Sequence, residues 1–136
     1  MENQKIKFEF VFLGQSVLKY QVPLDIFHAI NDIYERNFNQ LYKANKQLVG
    51  KIENEHSLFY HGKDQTKMKN HNLLPRNVTD YFMNIFKHYL AFNKIRDYDT
   101  HLNSIWINEM KEHEYNPAHI HRGMLFTGLS SVMILK

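Results

Sequence analysis

The chain has 136 residues, of which 43% are hydrophobic and 14% aromatic, so the composition favours one folded domain over wholesale disorder. The formal net charge is +3 with scattered lysines, which is only a weak argument for nucleic-acid binding. The absence of cysteine excludes disulfides and cysteine nucleophiles and favours an intracellular setting, and no apolar run is long enough to span a bilayer.

The N-terminal third predicts two short strands followed by a helix. Period-two alternation in KIKFEFVFL places four side chains on one side of a strand: Ile6, Phe8, Phe10 and Phe12. After the turn signal GQS, the segment VLKYQV predicts a second strand. Pro23 then opens a helix. Its apolar stripe recurs at steps of three and four residues: Phe27, Ile30, Tyr34, Phe38 and Leu41.

The middle of the chain is less regular. Residues 43 to 76 carry no strong period, and only a short strand from Ser57 to Tyr60 is predicted there. Asn77 or Thr79 is the expected N-cap of a second helix. The stripe that this helix is expected to bury consists of Val78, Phe82, Ile85, Phe86, Tyr89 and Phe92.

The last part changes to strand formers. HLNSIWINEM predicts a strand in which Trp106 belongs to the core, and one face of that strand holds Leu102, Ser104, Trp106, Asn108 and Met110. KEHEYNP predicts a bend, and LFTGLSSVMILK predicts a strand covered on both faces. Because this run reaches the last residue without a turn, we expect either a longer protein that supplies partner strands or self-association through the unpaired strand.

The segment YNPAHIH contains a pair of histidines that could chelate a metal. In an extended strand His119 and His121 point to the same face, with side chains that begin roughly 7 Å apart, so both imidazoles can converge on one ion. An isolated H-x-H motif is a weak signal in a chain with nine histidines. Here a strand precedes it, a bend positions it, and small residues follow it, which is the layout of a jelly roll with a metal at its mouth.

These segments resemble a known family. SIWINEM, YNPAHIH and GLSSV are similar to the catalytic core of the 2-oxoglutarate and Fe(II)-dependent oxygenases of tailed phages, in the prolyl-hydroxylase-like branch. The resemblance implies an α+β fold in which an incomplete double-stranded β-helix, a jelly-roll or cupin-like core, is supported by two N-terminal helices. It treats residues 1–136 as one truncated domain, with strands and support helices in 1–99 and the first core strands in 100–136.

The same resemblance implies roles for individual residues. His119 matches the first iron ligand, whereas His121 stands where most relatives have a carboxylate, so either His121 ligates iron or a carboxylate comes from elsewhere. Glu114 is the nearest preceding acid. Asn108 is the candidate contact for the cosubstrate 2-oxoglutarate, and Met110 stands where relatives place a tyrosine. The distal histidine and the basic residue that binds 2-oxoglutarate would follow Lys136.

The resemblance implies a hydroxylase that uses Fe(II), 2-oxoglutarate and O₂ on a peptidyl or nucleobase substrate, in the host cytoplasm if phage-encoded, with no membrane partner. This 136-residue chain alone is expected to be inactive. Two alternatives remain open. One is a cupin-like metalloenzyme of another activity, although the Glu ligand expected soon after H-x-H is missing from Gly123 to Gly128. The other is a non-catalytic jelly-roll module for binding or for phage particle structure.

Overall fold

The computed structural model describes residues 6–12, 16–43, 50–61, 73–102, 104–117 and 129–135. The described part is an α+β structure with two helices and two small antiparallel sheets, as expected at that level, and its strands do not close into a barrel. The elements in chain order are β1 (Phe8–Phe12), β2 (Ser16–Tyr20), α1 (Leu24–Asn37), β3 (Leu41–Lys43), β4 (Asn54–His61), α2 (Arg76–Phe92) and β5 (Trp106–Glu109).

The first sheet is a hairpin that packs on α2. Strands β1 and β2 pair in antiparallel register, so the two strand predictions are confirmed. The ring centroid of Phe92 lies 5.2 Å from that of Phe10 and 6.4 Å from that of Phe8. The Tyr89 hydroxyl donates to the Ser16 carbonyl oxygen at 2.8 Å. The hairpin is therefore held by aromatic and hydrogen-bonding contacts to one face of the second helix.

Helix α1 begins after Pro23, as predicted, because proline presets the backbone angle of a first turn and its missing N–H is not needed there. Its predicted stripe is only partly right. Ile26 and Ile30 are the buried helical positions, and Leu41 is buried in strand β3. The helix stops earlier because the Asn37 amide donates to the Ile33 carbonyl oxygen at 2.8 Å, and a turn follows.

Helix α2 begins one turn earlier than its predicted caps. Pro75 occupies the N-cap position, so the expectation that Asn77 or Thr79 caps the helix is wrong. The Thr79 hydroxyl instead donates to the Arg76 carbonyl oxygen at 2.9 Å within the first turn. The predicted stripe is confirmed in part: Phe92 is 42% exposed. The buried positions of the helix are Val78, Phe82, Ile85 and Leu90.

The second sheet has the order β3-β4-β5, with β4 in the centre. The strand predicted from Ser57 to Tyr60 is present, but it begins at Asn54 because it pairs with both neighbours from there. Its Leu58 side chain is completely buried. Leu58 and Ile107 of β5 join both helices in the core, which also contains Ile26, Ile30, Leu41, Leu74, Val78, Phe82 and Ile85.

Two expectations about the last part of the chain are wrong. Trp106 is 40% exposed, whereas its neighbour Ile107 is 8% exposed and belongs to the core. The register with β4 turns the odd-numbered positions of β5 towards the helices. Residues 129–135 form no strand covered on both faces, since Val132 is 87% exposed. The rest of that predicted strand lies outside the described residues.

Leu58 offers a direct test of this core. Replacing this fully buried side chain with alanine leaves a cavity between the sheet and the helices, so Leu58→Ala should lower the free energy of unfolding by roughly 2–5 kcal/mol. The matched control is Leu24→Ala, because Leu24 is 73% exposed. Urea denaturation followed by circular dichroism measures both. Equal destabilisation by the two substitutions would contradict the packing described.

Candidate functional site

The central strand β4 separates an apolar side of the sheet from a polar one. Successive side chains of a strand point to opposite faces, so Leu58 faces the helices while Glu55 and Ser57 face away from them. Glu55 and Ser57 are each only 8% exposed. We call this second side the polar face, and by the strand register it consists of Tyr42, Glu55, Ser57, Trp106 and Asn108.

The strand register orders the polar face into two rows. Glu55 is the cross-strand partner of Asn108, and Ser57 lies between its two partners, Tyr42 and Trp106. Directly opposed side chains in antiparallel strands begin about 5 Å apart, so a carboxylate lies beside an amide in one row, and two aromatic side chains flank a serine in the other. The polar face thus combines hydrogen-bonding groups with an aromatic border.

Asn108 is the predicted site residue that the structure describes, and it carries an unusual atom. Its side-chain Oδ1 is buried and has no hydrogen-bond partner. A buried acceptor without a partner costs roughly 1–3 kcal/mol, and such groups are rare in native proteins. The amide of Asn108 is therefore suited to contact a ligand, since a ligand donor would remove this cost.

The predicted bend after β5 is an excursion from the ladder and does not reverse the chain. Glu109 pairs with Asn54, and Tyr115 pairs with Lys51. Between these two pairs the chain after β5 advances by six residues, whereas the facing segment before β4 spans three. The second pairing is reciprocal: Lys51 N–H donates to the Tyr115 carbonyl oxygen at 2.9 Å, and Tyr115 N–H donates back at 3.0 Å. The chain therefore leaves the sheet for three extra residues and rejoins it.

Glu114 holds this excursion in shape. Its carboxylate accepts a hydrogen bond from Lys111 N–H at 2.7 Å and another from Glu53 N–H at 2.9 Å. These backbone hydrogen bonds, first that from Lys111 and then that from Glu53, lower the pKa of the Glu114 carboxyl. Lys111 Nζ also lies 3.1 Å from Glu53 Oε2. Glu114 is thus engaged in fixing the backbone, which gives it a structural role.

The rejoining point requires a glycine on the facing segment. A Cβ atom on Gly50 would lie 2.7 Å from Cδ of Pro117 and still closer to the Tyr115 carbonyl oxygen. No side chain fits such an approach without movement of the backbone. Gly50 therefore lets the residues from Tyr115 to Pro117 lie against the segment that precedes β4.

The remaining candidate residues divide into two groups. His119, His121 and Arg122 lie outside the described residues. Met110, which the sequence comparison with that family also singled out, is 50% exposed. Among the described residues there is no group of three histidine, aspartate or glutamate side chains that could hold a metal ion. In that same part of the chain, neither helix is long and apolar enough to cross a membrane.

Glu55, Ser57 and Tyr42 were not predicted as site residues. The segment Asn54 to Ser57 is entirely polar, so it lacks the apolar alternation by which strands are recognised. Its burial follows from its central place between two strands. One signal was available: four consecutive polar residues lead directly into the apolar residues LFY, so this strand begins with side chains that can form hydrogen bonds.

The side of β4 that faces helix α1 holds a separate polar cluster. The carboxylate of Glu109 accepts hydrogen bonds from the Tyr34 hydroxyl at 3.2 Å and from the Asn54 amide at 3.1 Å. Burial, and then the charge and hydrogen bond of Glu109, raise the pKa of Tyr34 to about 12. The His56 ring packs 4.6 Å from that of Phe38, and its buried Nδ1 has no hydrogen-bond partner.

An open depression of about 400 Å³ lies at the far end of the hairpin. It is lined by Lys7, Phe8, Glu9, Lys19, Tyr20 and Gln21. Lys19 is engaged there by Glu9, with 3.1 Å between Nζ and Oε2. None of the candidate residues lines this depression, so it is separate from the polar face.

No protein-family model, characterised protein or solved structure matches this chain. The geometry of the polar face and of the segment that follows β5 therefore has to support any functional assignment by itself.

The buried His56 should make stability depend on pH. Burial, and secondarily the charge of Lys43, lower the pKa of His56 in the folded state, although Glu109 opposes this. The unfolded chain then binds a proton more readily than the folded one, so stability should fall as the pH drops below about 6.5 and through the lowered folded pKa. Urea titrations between pH 5 and 8 measure this.

The control for this prediction is a pair of substitutions. His56→Phe keeps a ring against Phe38 but removes the titrating group, so it should flatten the acid side of the stability profile. His101→Phe replaces an exposed histidine and should leave the slope unchanged. If His56→Phe retains the full slope of the wild-type chain, another group is responsible.

Proposed function

We propose that this chain carries part of the catalytic core of an Fe(II)- and 2-oxoglutarate-dependent dioxygenase that hydroxylates its substrate. The observation that carries the proposal is the three-residue excursion after β5. Successive side chains alternate between the two faces of a sheet, so an insertion of three residues, an odd number, moves the odd-numbered side chains to the face that held the even-numbered ones. Asn108, an even position, is on the polar face before the excursion, and odd positions take that side at Tyr115.

His119 and His121 have odd numbers, as Tyr115 does. By strand alternation we therefore predict for both imidazoles the side of the sheet that carries Asn108 and Glu55. Without the excursion, two odd-numbered histidines would follow the opposite side, towards the core. Several specific contacts hold the three extra residues in place, so the change of side that they cause is a defined feature of the structure. This supports a metal site over two unrelated surface histidines.

Glu55 is the described carboxylate that suits the ligand missing from the H-x-H motif. It is the buried acid of the polar face and lies opposite Asn108. We assign His119, His121 and Glu55 as the residues that would hold Fe(II), two imidazoles and one carboxylate being the ligand set of non-haem iron oxygenases. When bound, the iron with 2-oxoglutarate and O₂ supplies the oxidising power for hydroxylation of a C–H bond.

The other residues of the polar face would bind and orient ligands. The amide of Asn108 can donate from Nδ2 to a carboxylate of 2-oxoglutarate, while its buried Oδ1 can accept from a substrate N–H or O–H group. Trp106, 40% exposed, offers an apolar wall for a ring on the substrate, such as a prolyl or nucleobase ring. These groups position the reacting parts and exclude water from them.

Metal binding by the 136-residue chain tests the ligand assignment. His119→Ala should raise the dissociation constant for Co(II), an air-stable substitute for Fe(II), by at least about tenfold, since even residues that only support metal ligands contribute roughly 10- to 100-fold. His121→Ala and Glu55→Gln should have similar effects. Isothermal titration calorimetry gives the constants, with His28→Ala as the control because His28 is exposed on helix α1.

The outcomes distinguish the assignments. Weaker binding in His119→Ala alone would remove His121 and Glu55 from the ligand set. An effect of His28→Ala equal to that of His119→Ala would show adventitious binding and contradict the site. For the activity itself, the natural gene product should form succinate from 2-oxoglutarate only with Fe(II). If it forms no succinate under any condition while binding is intact, the non-catalytic binding module is the better assignment.

Asn108 can be tested separately through cosubstrate affinity. Asn108→Asp replaces the donating amide with a second acceptor and adds a negative charge, so it should weaken binding of 2-oxoglutarate to the Co(II)-loaded chain by about tenfold. Asn116→Asp adds the same charge at an exposed position after the excursion and should have little effect. Calorimetric titration compares the two. Unchanged affinity in Asn108→Asp would exclude a donor role for this amide.

A further inference from the structure

Near the end of the described chain, residues 132–135 alternate between exposed and partly buried apolar side chains. Met133 and Leu135 pack against the hydrophobic core. Between and before them, Ile134 is 74% exposed and Val132 is 87% exposed. This is the pattern of a strand with one face on the core and a second apolar face turned to solvent.

The backbone of this segment is also open to pairing. None of its N–H or C=O groups takes part in a backbone hydrogen bond within the described part of the chain. The segment LSSVMIL contains no charged residue and is rich in strand formers. Exposed groups of this kind are a template on which another extended chain can pair.

The other described strands are protected from such pairing. Strand β3 is only three residues long and carries the exposed Lys43. The hairpin carries the exposed ion pair of Glu9 and Lys19, and β5 ends at the exposed Glu109. Short length and charged side chains are the usual devices that keep strand edges apart. Residues 129–135 have neither device, so they stand out as the pairing edge.

We propose that a second copy of this chain pairs with this segment, residues 131–135 of the two copies forming an antiparallel ladder across a twofold axis. A second copy fits because the segment is neutral and therefore meets no like charge when it is opposed to itself. Two identical antiparallel segments make a closed, isologous interface, which gives a dimer and leaves no free copy of the edge.

The alternation selects a register for this ladder. The two exposed side chains must lie on the same side in both copies, and centring the ladder on Met133 places Val132 of one copy opposite Ile134 of the other. Val132 and Ile134 of both copies then form one apolar cluster. Met133 and Leu135 keep their contacts with the core of their own copy. This inference does not depend on the proposed activity.

Sedimentation equilibrium of the 136-residue chain tests the association. The wild-type chain should be a concentration-dependent dimer, and Ile134→Lys should raise its dissociation constant by at least about tenfold, because two lysines enter the cluster. Ile134 is exposed, so the fold should be retained, as circular dichroism can verify. Val17→Lys places the same charge on an exposed apolar residue of the hairpin and should leave the dimer unchanged.

Disulfide trapping tests the register. The chain has no cysteine, so each introduced thiol is the only one. A mixture of Val132→Cys and Ile134→Cys chains should form mixed disulfides faster than either variant alone forms its own. A monomer at all concentrations, equal effects of Ile134→Lys and Val17→Lys, growth into larger assemblies, or no preference for the mixed disulfide would each overturn the proposal.

Discussion

The structure depends on the burial of strand β4 on both of its sides. Leu58 is completely buried between the sheet and the two helices, while Glu55 and Ser57, on the other side, are each only 8% exposed. A strand with two neighbours has no spare backbone groups, so both of its faces can be used for side chains. One face stabilises the fold, and the other brings polar groups together in a place where water is scarce and electrostatic interactions are strong.

Strand β4 and its neighbours carry polar groups on both faces of the sheet. Tyr34, Asn54 and Glu109 are satisfied by one another beside helix α1, and they join the helix to the sheet. In the described part of this sheet, two buried side-chain atoms lack a hydrogen-bond partner, His56 Nδ1 on the α1 side and Asn108 Oδ1 on the far side. A buried polar atom without a partner costs stability, so each of them calls for a reason. Of the two, Asn108 Oδ1 belongs to the polar face, which also carries the buried Glu55 and Ser57.

The helices and the hairpin could be predicted from the sequence because their apolar residues repeat with a clear period. The polar beginning of strand β4, at Asn54, could not be predicted, because its burial is caused by the neighbouring strands and not by apolar side chains of its own. For Trp106 the alternation defined two faces correctly but could not say which one meets the helices. Asn108 was a candidate site residue because its segment resembles a known family. The sequence could not connect Asn108 with Glu55, because cross-strand pairing joins positions far apart in the chain.

The length of the excursion between Glu109 and Tyr115 has a consequence for variation in related chains. A loop at the surface usually tolerates the gain or loss of a single residue. Here a change of one residue would turn the side chain that pairs with Lys51 to the other side of the sheet, whereas a change of two would preserve its side. Natural variants of this segment should therefore differ in length by even numbers and should keep an acceptor in the role of the Glu114 carboxylate.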